Sequence, residues 1–117
     1  MQTAAIFLAL AAVGGLTLAI IRLRGAPRPP TWMALGHGAV AATGLGLLIY
    51  AAFDPGIPTL GQAALCVLVL AALGGATMFI GFHLRQQPLP IPLVIGHGLI
   101  AVTGFLLLLA TMFHWFT

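Results

Sequence analysis

Two histidines in this chain are each set between glycines: Gly36-His37-Gly38 within LGHGAVAATG (35–44), and Gly96-His97-Gly98 within IGHGLIAVTG (95–104). An imidazole can ligate a metal, relay a proton or hydrogen-bond a carbonyl. Glycine on both sides removes the Cβ atoms that would crowd the space beside it. The two segments share the pattern GHGxxAxTG, so one arrangement is written twice, 60 residues apart.

The elements that must position these rings follow from composition. The 117 residues are 62% hydrophobic and 4% charged, with a mean hydropathy of +1.18. Soluble domains carry about 25% charged residues, so the chain is expected to be an all-α integral membrane protein. The pI near 10.7 comes from four basic side chains against one acid. In such a chain it signals topology, with no nucleic-acid partner. Cys66 lies alone in an apolar run and reads as a small core residue.

Four apolar segments reach the roughly 20 residues of a spanning helix: Thr3–Leu23, Trp32–Phe53, Leu60–Leu84 and Pro92–Phe116. RGAPRPP (24–30), DPGIP (54–58) and RQQPLPIP (85–92) separate them. Proline ends a helix but is tolerated in a first turn, so Pro92 can open the last span. Arg22, Arg24 and Arg28 flank the first connection and Arg85 the third, whereas the second carries only Asp54. The positive-inside rule puts the arginine-bearing loops in the cytoplasm and both termini opposite. A bacterial inner membrane fits this pattern. Trp32, Tyr50 and Trp115 lie near span ends, where amphipathic aromatics settle. The first run lacks the basic start of a cleaved signal peptide and reads as an uncleaved anchor.

Residues 14–53 align without gaps on 74–113, with 14 identities in 40 positions. The chain thus reads as one membrane domain of two tandem hairpin repeats, 1–57 and 58–117. Each repeat has two spans, so the halves are parallel, related by a pseudo-twofold axis along the membrane normal. His37 and His97 then share one depth, roughly 8 Å inside the arginine-bearing end. In an up-down-up-down bundle spans two and four are diagonal, about 12–14 Å apart for neighbours packed at 8–10 Å. Two inward imidazoles across that gap can clamp one iron, as in a bis-histidine haem. A bare ion needs more ligands close together.

Other residues join this expectation. His37, Ala41 and Gly44 share a helix face, as do His97, Ala101 and Gly104. Gly15 and Gly75 thin the odd-numbered spans near the same level, and the four arginines suit anionic haem propionates. His83, at the end of span three beside Arg85, is a candidate for a propionate or a quinone carbonyl, or an interfacial residue. His114, at the opposite end, reads as interfacial. Small residues also serve plain helix packing, and the histidines could instead bind quinone, transfer protons or satisfy a structural hydrogen bond.

The arrangement resembles that of membrane b-type cytochromes and the haem-bearing anchor subunits of respiratory dehydrogenases, in which histidines from two helices clamp haem b. The resemblance rests on GHG at 36–38 and 96–98 and on the four-span layout. It implies electron transfer through one haem b, to or from a quinone or a partner protein. Arginines near the propionates would raise the potential. The alternative is a non-redox accessory or anchor subunit of a larger complex. Short loops leave little room for a soluble catalytic domain, so an electron carrier or subunit is expected rather than a self-contained enzyme, working with a protein partner or as a homodimer. No carboxylate lies within a span, which argues against a small proton-coupled exporter. No nucleophile–base pair, phosphate loop or Cys-x-x-Cys is present.

Overall fold

The computed structural model describes residues 1–114, whose regular elements are all helical: α1 Gln2–Leu23, α2 Thr31–Ala51, α3 Thr59–Met78 and α4 Ile91–Met112. All four helices are long and apolar enough to cross a membrane. Their limits follow the chain's punctuation. α1 ends where Gly25 takes a positive φ of 116°, a conformation that suits glycine at a helix C-terminus. α2 starts straight after Pro29-Pro30, and the Pro30 carbonyl accepts the Ala34 N–H at 3.1 Å. α4 starts after Pro90 and carries Pro92 in its first turn. Trp115 lies outside the described residues.

Two wide turns extend the even and odd helices differently. Ala52–Gly56 bends away after α2, with Asp54 in extended backbone. Phe79–His83 continues α3 as a π-helical turn, closed by Leu84 N–H on the Phe79 carbonyl at 2.8 Å. The matching residues of the first half, 19–23, remain α-helical. The wider turn is a local departure in backbone geometry from the 60-residue match between halves.

α1 packs chiefly on α2, and α3 on α4; α1 also meets α4, and α2 meets α3. Leu48 and Leu108 are fully buried, in a cluster with Ala4, Leu8, Ala64 and Leu68. Members of this cluster again pair at a separation of 60. A smaller cluster of Met78, Leu89 and Val94 forms at the other end. The histidines fall between the two along their helices. Many large apolar side chains point outward, among them Leu10, Val13, Leu70, Leu73 and Leu99, as suits contact with lipid. Cys66 is exposed on α3, not in the core. It is offset by two residues from inward Ala64 and Leu68, which turns it to the outer face.

The first and third connections lie against each other. Leu89 N–H donates to the Pro27 carbonyl at 3.0 Å, and Arg22 Nε donates to the Leu89 carbonyl at 2.8 Å. Arg28 Nη1 donates to the His83 carbonyl at 3.1 Å. The arginines therefore gather at one end of the bundle, and Asp54 lies at the other.

Candidate functional site

His37 and His97 are each anchored to the helix before their own. Nδ1 of His37 lies 2.8 Å from the Ala11 carbonyl oxygen, and Nδ1 of His97 lies 2.8 Å from that of Ala71. A helical carbonyl has one lone pair engaged along the helix, and side chains three and four residues on shield the other. Here those positions are Gly14-Gly15 and Gly74-Gly75, which leave the second lone pair open. A Cβ on Gly15 would stand 2.8 Å from His37 Cε1, and one on Gly75 would stand 3.1 Å from His97 Cε1. These glycines seat the imidazole rings themselves.

The bond decides the tautomer. A carbonyl oxygen only accepts, so each neutral ring carries its proton on Nδ1 and leaves a lone pair on Nε2. No described residue hydrogen-bonds to either Nε2, and neither atom is sealed from its surroundings. The ring centres are 6.3 Å apart and the planes stand at 89°. Histidines whose second nitrogen is oriented by a carbonyl are the usual form of metal-ligating imidazole.

That spacing can be checked against coordination chemistry. Metal–imidazole bonds are about 2.0–2.1 Å, so two imidazoles opposite each other on one ion place their ring centres roughly 6 Å apart. The observed 6.3 Å falls close to that separation. No group of three or more His, Cys, Asp or Glu lies together among the described residues, so the pair by itself offers two imidazole nitrogens.

Comparison with known protein families, curated proteins and solved structures finds no match. The site therefore rests on its own geometry.

The other residues named from sequence divide into groups. Ala41 and Ala101 are half-buried on the same inward face as the histidines. Gly44 and Gly104 are buried, but what they admit is a neighbouring helix. A Cβ at Gly44 would meet Leu8 Cγ at 2.9 Å, and one at Gly104 would meet Leu68 Cγ at 2.8 Å. Gly36, Gly38, Gly96 and Gly98 have nothing within 4 Å of a Cβ position. The repeated Thr43 and Thr103 donate to carbonyls four residues back, at 2.8 Å each, and stay on the exposed face.

A groove of about 240 Å³ opens beside His97, walled by Leu70, Gly74, Pro92, Gly96 and Ile100. His83 sits apart from the pair, at the arginine-bearing end. It is 3% exposed, its Nε2 is 2.9 Å from Thr31 Oγ1, and its ring stacks on Phe79 with centres 5.1 Å apart. Arg22 and Arg28 are tied to carbonyls, and Arg24 and Arg85 are exposed. Ala11 and Ala71 are the candidate-site residues that sequence reasoning missed. Their signal was present as AAVGG (11–15) and AALGG (71–75), an alanine held four residues before a repeated glycine.

Proposed function

We propose that this chain is a small b-type membrane cytochrome in which His37 and His97 hold the iron of one haem b. The supporting observation is the pair of Nε2 lone pairs, set by carbonyl bonds from Ala11 and Ala71, on rings 6.3 Å apart. When bound, haem b supplies one-electron chemistry whose potential depends on axial ligands, burial and nearby charge. The chain's own part is to orient the two imidazoles and keep them neutral at Nε2. Arg24 and Arg85, exposed at the same end as the first and third connections, are cations available to the propionates.

The proposed frame is an up-down-up-down bundle of two parallel hairpin repeats. The recurrence of the histidine–carbonyl bond at a separation of 60 supports it. The positive-inside rule then directs the arginine-bearing connections to the cytoplasm and both termini to the other side. A quinone or a partner protein would exchange electrons with the bundle.

The groove at His97 is smaller than the roughly 300–1,000 Å³ of pockets that enclose a small organic ligand. A macrocycle held by the pair would extend beyond it. Gly36, Gly38, Gly96 and Gly98 present no wall to that extension. Haem content and the absorption spectrum of protein purified from haem-replete cells test the assignment.

A second reading has its own support. Ring centres about 4.5–7 Å apart and perpendicular planes are also an ordinary edge-to-face contact. The histidines would then be struts between helices in a non-redox accessory subunit, and purified protein would carry no haem.

A further inference from the structure

At the arginine-bearing end a second groove, of about 410 Å³, runs between the end of α1 and the start of α2. Its walls are Ile21, Ala26, Pro27, Pro29 and Pro30, and its polar groups are Arg28 and Thr31. We propose that this groove binds the phosphate headgroup of an acidic phospholipid, with Arg28 and Thr31 as donors and His83 as the residue that positions Thr31.

The donors are prepared for an acceptor. Arg28 uses Nη1 on the His83 carbonyl, which leaves the rest of its five N–H groups available. Thr31 Oγ1 lies 2.9 Å from His83 Nε2. When Nε2–H donates to that oxygen, the hydroxyl hydrogen is free to point into the groove. Stacking on Phe79 restrains the His83 ring, and Arg28 holds the His83 main-chain carbonyl. His83 as a whole is 3% exposed.

The charge around the groove calls for an anion. Arg22, Arg24 and Arg85 share this end, while the chain's only acid, Asp54, is at the opposite one. No carboxylate side chain other than Asp54 exists to neutralise Arg28 there. The groove lies where the apolar spans stop, the depth at which lipid phosphates sit. Basic pockets at that level read as lipid headgroup sites. The apolar proline walls suit the glycerol and first acyl carbons, and the fixed φ of proline limits their rearrangement on binding.

This inference is independent of haem. Native mass spectrometry of the purified full chain, titrated with phosphatidylglycerol or phosphatidylcholine, tests it directly. Wild type is expected to bind phosphatidylglycerol at least tenfold more tightly. Arg28→Gln is expected to abolish that preference, and Thr31→Val, which keeps every arginine, to weaken phosphatidylglycerol binding at least threefold. Gln87→Ala, uncharged and exposed at the same end but outside the groove, is expected to stay within twofold. Melting curves of each variant separate lost binding from lost fold. Equal affinity for the two lipids in wild type would overturn the proposal. So would a preference that survives both Arg28→Gln and Thr31→Val, or full displacement by an equal concentration of inorganic phosphate.

Discussion

The imidazoles of His37 and His97 stand 6.3 Å apart with their planes at 89°, and each is tied to a different helix, His37 to Ala11 of α1 and His97 to Ala71 of α3. All four helices therefore meet at the histidine pair. Two helices supply rings, two supply carbonyls, and the paired glycines admit the bonds. Several consequences can be measured.

The glycines next to the anchoring carbonyls should be intolerant of a methyl group. In Gly15→Ala the new carbon would sit 2.8 Å from His37 Cε1, and the ring can retreat only by giving up its bond to Ala11. Overpacking of this kind costs about 1–3 kcal/mol. Thermal unfolding in detergent should show a clear loss for Gly15→Ala and a smaller one for Gly75→Ala, where the contact is 3.1 Å. Gly36→Ala, facing open space, should differ only within the small helix-propensity gain of alanine over glycine.

Gly44 should respond through Leu8 rather than through any cofactor. Its Cβ position is 2.9 Å from Leu8 Cγ and 3.1 Å from Phe7 Cβ. Gly44→Ala should destabilise the bundle, and Leu8→Ala should do so by leaving a cavity. The double variant should fall short of the sum, with a coupling of about 0.5–3 kcal/mol, as for residues in direct contact. Additive effects would show that helix packing is not what this glycine serves.

Much of this was legible from residue types alone. Proline and glycine mark the breaks so plainly that the four expected spans fall within a few residues of the helices, apart from the π turn. The inward face of His37, Ala41 and Gly44 follows from spacing. The ring-to-carbonyl bonds were not legible, because an alanine carbonyl has no side-chain signature and the paired glycines read equally well as clearance for a macrocycle. The π turn at Phe79–His83 was hidden too. FIGFH and the α-helical AIIRL of the first half each hold one polar residue in an apolar run, and the contacts of His83 with Thr31 and Phe79 that accompany the turn have no counterpart pattern in the sequence. Cys66 was misplaced because an apolar run in a membrane helix does not distinguish a lipid-facing side from a core-facing one.

The His83–Thr31 bond gives a stability test away from the histidine pair. Thr31→Val leaves the buried Nε2 of His83 without a partner, which costs about 1–3 kcal/mol. Replacing both partners, as Thr31→Val with His83→Leu, should recover part of that loss, because no unpaired polar atom remains. A double-mutant cycle on melting curves reads the difference.

Sidedness can be tested with cysteine labelling. In a Cys66→Ser background, Thr59→Cys marks the connection that bears Asp54, and Gln87→Cys marks the third connection. Both positions are exposed. If the arginines lie in the cytoplasm, an impermeant thiol reagent should label Thr59→Cys in intact cells. It should reach Gln87→Cys only after permeabilisation. The reverse pattern would invert the topology.

The most direct measurement is the visible spectrum of the full chain purified from haem-replete cells, with the haem quantified. Wild type should carry about one haem b per chain, with a Soret band, an α band sharpened on reduction and a low-spin signal from two imidazole ligands. His37→Ala and His97→Ala should each lose that signal and at least tenfold of the haem content. A wild-type spectrum without a Soret band, or undiminished low-spin haem in His97→Ala, would contradict the assignment of this pair as axial ligands.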